Sequence, residues 1–399
     1  MIQLLYFGRL DQEKWRDAII AMIEHFSSVT SRSDTTRSIG DILPHNSYTS
    51  PPSSRRSDNK LPFVLHIFGK WSYEKKILQL AEQYPQHIIY YGFQPLSSVK
   101  KIAQQCDYCL MPSLFLETFG LSAVNALARW LPVIWYQQWG MQPFVLDTYD
   151  LASNPGLPDV QLIAMMDKLL VQWWHKDSKI SQDIAKKYSK EARIHNFNIL
   201  AASGWQKILL VTDFATKLGG IETYVHDVAA LLTQQWYTVE IIGSAWWRTR
   251  LSRIFSMLLS AHNIFFTWKL HRKIQSFQPD IIWCHSVLRH IGRIGLSVIN
   301  KSSAQKRMMY HDLGYFHPFP HAVTQEKQLP ASLDWRDFSA SIHNPITKFF
   351  VRGKWLLLQK MQKQLKKFDI HLVPSTFMEA VVRKNYGEKV TVLPHFIQE

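Results

Sequence analysis

Residues 112–128 read PSLFLETFGLSAVNALA. A strand-like run, YCLMP (108–112), stops at Ser113, a carboxylate, Glu117, stands in the loop, and Phe119-Gly120-Leu121 opens a helical pattern over 119–129. This strand–loop–helix reading decides the fold because it recurs along the whole chain. Strand patterns fall at 2–8, 63–69, 87–92, 108–112 and 132–136, and again at 207–213, 238–244, 279–285, 306–312, 368–375 and 389–394. Amphipathic stretches lie between them, among them 13–26, 97–105 and 119–129. Such alternation demands parallel strands whose crossovers cover both faces of a sheet. The prediction is an α/β protein with two doubly wound domains, residues 1–200 and 205–399, joined through a helical stretch over 159–174 and 178–200. Residues 27–61 are rich in Ser, Thr, Arg and Pro without periodicity and are expected to be a disordered insertion.

A chain of 399 residues has room for two such domains. Several of the 15 Trp are expected at a cleft or interface rather than in a core. The net charge of +15 is uneven: residues 1–204 hold 21 Lys+Arg against 18 Asp+Glu, and residues 205–399 hold 25 against 13. The second half is therefore the one suited to an anionic partner: nucleic acid, acidic polysaccharide or a membrane surface. No recognised RNA or DNA motif accompanies the charge, which argues against nucleic acid. Cys106, Cys109 and Cys284 are too few for a disulfide framework, and the CxxC of the first two lacks the second pair a zinc site needs. With no signal-peptide pattern and no apolar run long enough to span a bilayer, a cytoplasmic protein is expected.

Doubly wound sheets take their ligands outside the carboxyl ends of the strands, and five segments fall there. Arg9 and Lys14 follow the first strand, where two cations can face one diphosphate. Ser113, Glu117 and Phe119–Leu121 follow another, at a helix start whose free N–H groups favour anions; Glu117 is equally at home there as a residue favoured by the helix dipole. Gly219-Gly220 form a turn between a strand and a helix, without the spacing of a dinucleotide fingerprint. His311-Asp312 end a strand in MYHDLGYFHPFPH, and Ser375 ends another as a helix cap in VPSTFMEAVV.

Together these segments resemble the retaining glycosyltransferases of the GT-B fold, specifically glycosyltransferase family 4. The resemblance rests on Gly8-Arg9-Leu10 with Lys14, strand-ending Gly69 and Gly92, and the Pro-Ser, Glu and Phe-Gly-Leu of 112–121. It rests equally on Gly219–Glu222, Pro279–His285, His311-Asp312 and Val373–Ser375, and it covers nearly the whole chain outside 27–61 and 318–345. In that family the acceptor domain comes first, whereas here the donor-like half leads. The end, VTVLPHFIQE, also reads into the beginning, MIQLLYFGRL, as the family's interdomain junction does. The order suggests circular permutation; the other explanation is a slice across two tandem transferases.

The resemblance implies a UDP- or GDP-linked sugar donor, transfer with retention to a glycan or lipid-linked acceptor in cell-surface glycan synthesis, and no metal. Arg9, Lys14 and the Phe119–Leu121 turn would hold the departing diphosphate. Glu117 would hold the donor sugar. His311, Gly219 and Gly220 would line the opposing wall. Gly69, Gly92, Ser113 and Asn125 complete the donor-binding set. Asn125 stands where the family has a second carboxylate that contacts the ribose, and Trp15, Trp130 and Gln142-Pro143 also depart from the pattern. These departures leave a catalytically degenerate binding or partner subunit as the competing reading. The stretches 248–273 and 344–368 mix Lys and Arg with large apolar residues, as helices that lie on an anionic cytoplasmic membrane surface do.

Overall fold

The strand runs of the two halves assemble into two separate parallel sheets. The computed structural model describes residues 1–8, 18–30, 61–70, 74–113, 118–129, 131–135, 158–171, 178–194, 207–216, 220–244, 264–317 and 344–397. The first sheet contains β1 (Ile2–Phe7), β2 (Phe63–Phe68), β3 (Ile88–Gly92), β4 (Tyr108–Met111) and β5 (Val133–Trp135), in the order β3-β2-β1-β4-β5. The second contains β6 (Lys207–Phe214), β7 (Thr238–Ser244), β8 (Ile281–Ser286), β9 (Gln305–Met309), β10 (Ile370–Val373) and β11 (Val390–Val392), in the order β11-β10-β9-β8-β6-β7. Every pairing is parallel. The architecture is thus two parallel-sheet α/β domains, consistent with the expected GT-B fold.

The helices of the first domain are α1 (Ala18–Thr30), α2 (Glu74–Gln83), α3 (Leu96–Ala103), α4 (Leu121–Leu127), α5 (Pro158–Val171) and α6 (Ser178–Lys187). Those of the second are α7 (Gly220–Gln234), α8 (Ile264–Phe277), α9 (Gly292–Asn300), α10 (Pro345–Leu365) and α11 (Thr376–Tyr386). The period of two along β1 sends Ile2, Leu4 and Tyr6 into one core with α1, α2 and α5. It sends Leu5 into a second core, shared with residues of α3, α4 and α6, on the opposite face. Burial on both faces is why FVLHIF and IIWCHS are nearly continuous apolar runs rather than alternating ones. In the second domain residues of α8, α9, α10 and α11 share one core and those of α7 another.

Topology selects where a ligand can enter. In the first sheet β1 lies between β2 and β4, so the winding reverses between β1 and β4. In the second it reverses between β6 and β8. Crevices open outside the carboxyl ends of the strands at these reversals.

Several expectations change. The insertion does not begin at residue 27, because α1 continues through Thr30. Ser27 and Ser28 stay helical by donating their hydroxyls to the carbonyls of Glu24 and His25. Its far boundary moves too: Leu61 is core, and its amide meets His87 Nε2 at 3.3 Å. Residues 31–60 lie outside the described residues. Trp283 is among the largest fully buried side chains, while Trp236 and Trp268 are exposed. Cys106 and Cys109 are buried free thiols, and burial pushes the Cys109 thiol up from its ordinary value. Among the described residues no helix is long and apolar enough to cross a membrane.

Candidate functional site

The carboxyl ends of β2 and β3 are tied together by Gly69 N donating to Gly92 O at 2.9 Å. Gly92 has φ +69 and a Cβ there would meet nothing, so backbone conformation, not space, demands the glycine. Ser113 is buried just beyond β4. Past it, Gly120 takes the left-handed conformation, φ 74 and ψ 52, and lets the chain turn into α4. Arg9, Lys14, Glu117 and Gly219 lie outside the described residues, as do Trp15, Trp130, Gln142 and Pro143.

The turn Thr118–Gly120 is where the two domains meet. Thr118 Oγ1 donates to the His311 carbonyl at 2.7 Å, and Ser375 Oγ donates to the Thr118 carbonyl at 2.6 Å. The Phe119 ring sits edge-on to Tyr188 beyond α6 and to His395 from the second domain, at 5.6 and 5.2 Å between centroids. Chain also passes across this seam. After β11, Leu393 N still bonds Val373 O, but Ile397 N donates to Tyr188 O at 2.8 Å. The structure therefore brings Thr118 to His311 and Ser375, and Phe119 to His395, at the start of the turn that holds Gly120 and Leu121.

His311 is the middle of a row of three imidazoles. Its Nε2 meets His285 Nδ1 at 3.1 Å and its Nδ1 meets His395 Nε2 at 3.4 Å, with the rings stacked. Tyr224 of α7 closes one side, edge-on to all three, and Trp283 stacks on His285. Burial pushes His311 down to about 3. Burial holds His285 well below its ordinary value, with His311 adding to the effect. Burial does the same to His395, followed by His311, His285 and Arg193. All three are neutral at pH 7. Each hydrogen bond then needs one N–H and one lone pair, so the protons must run in one of two orders. Either order leaves the outer atoms, His285 Nε2 and His395 Nδ1, buried without a partner, as observed.

Asn125 is turned inward, 4% exposed. Its Nδ2 donates to Leu121 O at 2.9 Å, and Arg129 Nη1 donates to its Oδ1 at 3.0 Å. Its amide is thus used within its own helix and by a neighbour four residues on. Gly220 is the first residue of α7, and open space lies where its Cβ would be.

Sequence reasoning did not single out Asp213. It is 0% exposed at the carboxyl end of β6. Its Oδ2 accepts from Ser286 Oγ and Arg289 N, each at 2.9 Å, and its Oδ1 accepts from His290 N at 2.7 Å and Ile291 N at 3.2 Å. This one carboxylate fills the reversal between β6 and β8 and fixes the loop that starts α9. A polar residue inside the buried strand KILLVTDF is the available signal.

Comparison with known proteins agrees with this layout. Residues 53–185 match the family of Glycosyl transferases group 1, and residues 218–399 match Glycosyltransferase Family 4. The two matches fall in the two halves of the chain, the group 1 match preceding the family 4 match. No curated protein sequence matches it. Among solved structures, the catalytic domain of cholesterol-alpha-glucosyltransferase from Helicobacter pylori aligns with 16% identity over 47% of this chain and 96% of that one, with a TM-score of 0.29. AviGT4, a glycosyltransferase of avilamycin A biosynthesis, aligns with 13% identity over 47% of this chain and 49% of that one, with a TM-score of 0.23.

Proposed function

We propose that the protein transfers a sugar from a nucleotide-sugar donor with retention at the anomeric carbon, in the synthesis of a cell-surface glycan or glycolipid. The observation that carries this reading is the seam: the Thr118–Gly120 turn of one glycosyltransferase domain bonded directly to His311 and Ser375 of the other. Arg9 and Lys14, next along the chain from β1, are assigned to the diphosphate, and Glu117, one residue before Thr118, to the donor sugar. In the reaction the bond from the anomeric carbon to the diphosphate oxygen breaks. The acceptor hydroxyl oxygen bonds to the same face, and its proton passes to the leaving phosphate. Fixed cations at the diphosphate stabilise the charge that develops there, with no metal. His311, satisfied at both ring nitrogens, is assigned to shaping the acceptor-domain wall in the closed form. The order of the two domains is read as circular permutation, because loops of both halves meet across one seam.

A screen of UDP-, GDP- and ADP-sugars by thermal shift tests donor binding, since a bound nucleotide stabilises the fold by mass action. Proton NMR of the product reports retention or inversion. Wild-type protein and Glu117→Ala that both bind donor, with neither turning it over, would support the degenerate reading. The inward, self-satisfied Asn125 is the observation that favours that alternative.

Attachment to an anionic membrane surface forms a second part of the proposal. Helices that cross over between parallel strands run antiparallel to them, so the first turns of α8, α9 and α10 lie at one level of the second domain. On that level Ile264, Phe265 and Trp268 are exposed apolar residues, Phe265 at 88%, with Phe349 on α10. Exposed Lys269, Arg272, Arg293, Lys348 and Arg352 stand on the same three helices, the Arg272 guanidinium 4.8 Å over the Trp268 ring. Apolar residues together with cations suit anionic headgroups. Flotation with phosphatidylserine vesicles at low salt is expected to retain the wild type and to lose Phe265→Asp; equal retention of both would remove this surface from the proposal.

A further inference from the structure

We propose that Ser375 is a positioning residue for transfer, setting the Thr118–Gly120 turn of the first domain from the second. The inference rests on the reading above that this turn borders the donor site. Ser375 caps α11: its Oγ accepts from Met378 N at 3.3 Å. A serine hydroxyl has a single proton, and with the amide of Met378 taking a lone pair, that proton goes to the Thr118 carbonyl at 2.6 Å. The Thr118 hydroxyl in turn donates to the His311 carbonyl at 2.7 Å. Thr118 is thereby held from both sides, by the chain segments that follow β9 and β10. Ser375 is 5% exposed, so water does not compete well for the bond. Immediately beyond lies Gly120 in its left-handed conformation, and with it the first residue of α4. The geometry of the donor-side turn is thus conditional on docking of the second domain. Small displacements of groups that position a reacting centre are costly in rate.

Three substitutions separate the cap from the interdomain bond. Ser375→Thr keeps both. Ser375→Asp keeps an acceptor for Met378 N but, ionised, has no proton for the Thr118 carbonyl. Ser375→Ala loses both. The measurements are hydrogen exchange over peptides 118–127 and 376–386, and initial rates with whichever donor the nucleotide-sugar screen identifies. Ser375→Asp is expected to leave exchange in 376–386 within about twofold of wild type, to raise it in 118–127 by about tenfold, and to lower kcat by about tenfold, the loss of one hydrogen bond to the turn. Ser375→Thr is expected to restore wild-type values in both. Exchange in 118–127 unchanged in Ser375→Asp overturns the proposal, as does wild-type kcat in an active enzyme carrying that change. If the wild type transfers from no donor, the transfer reading falls by itself, and the exchange measurement alone decides whether Ser375 sets the turn.

Discussion

The two sheets are finished alike at their amino ends and differently at their carboxyl ends. At the amino end of each, an aspartate before one strand accepts from an amide in the first two residues of its neighbour. The pairs are Asp107 with Gln3 N at 2.8 Å in the first domain, and Asp280 with Lys207 N and Asp369 with Lys306 N, each at 2.7 Å, in the second. Each aspartate also returns its own amide to the partner's carbonyl. At the carboxyl end the second domain fills its topological reversal with the Asp213 carboxylate and stacks three neutral histidines from β8 and the segments after β9 and β11. Among the described residues of the first domain no carboxylate is buried, and its strand ends are marked by Gly8, Gly69, Gly92 and Ser113. The amino ends are solutions to a common problem, terminating a parallel ladder. The carboxyl ends differ: one domain fills its crevice with its own side chains, and among the described residues the other presents backbone, glycine and Ser113 there.

The comparison breaks most readily at Asp213. Asp213→Ala leaves two buried and two part-buried donors without their acceptor and is expected to cost about 3 kcal/mol or more in urea unfolding. A loss below about 1 kcal/mol would mean that the crevice is not held by this carboxylate. Next comes a pair of glycines in the second domain. A Cβ on Gly243 would lie 2.5 Å from Ala215 N, so Gly243→Ala is expected to cost about 2 kcal/mol; Gly220→Ala, facing open space, should change stability by less than about 0.5 kcal/mol. Equal effects would show that β6 and β7 can move apart.

Acid should then separate the domains. His285, His290, His311, His371 and His395 in the second are held below 6.5 by burial, against His66 in the first. Folded, these groups refuse protons that the unfolded chain accepts near 6.5. Their contribution is therefore unchanged above that pH and stability falls as the pH drops below it, for His311 down to about 3. Each such histidine steepens the fall by up to about 1.4 kcal/mol per pH unit. His395→Asn, followed by thermal unfolding between pH 7 and 5, should flatten it, and an unchanged slope would remove the histidine row from the account. The smallest effect tests the likeness: Asp107→Ala, Asp280→Ala and Asp369→Ala should each cost about 1 kcal/mol.

All eleven strands of the described structure were legible in the sequence, because burial on both faces leaves unbroken β-branched and aromatic runs that local pattern detects. The boundary of α1 was not, since serines that bond back to their own helix look like loop residues in a one-dimensional reading. Ser375 was legible as a cap, which is a local relation. Its bond to Thr118 spans 257 residues, and the bond from Thr118 to His311 spans 193. Nothing periodic encodes such contacts. His285, His311 and His395 likewise stand far apart in sequence, and only the sheet order brings β8, the segment after β9 and the segment after β11 to one place. Asn125 was expected to face a ribose; in the folded chain its amide is taken up by Leu121 and Arg129.

A row of three imidazoles with two permitted proton sequences is a reversible electric dipole sealed inside the protein. The two sequences carry the same net charge, but passing from one to the other requires one outer nitrogen to give up a proton and the opposite one to take one up, His395 Nδ1 on the Phe119 side and His285 Nε2 on the Trp283 side. The nitrogen-15 shifts of His285 and His395 would reveal which sense prevails, and whether a nucleotide bound in the neighbouring crevice flips it.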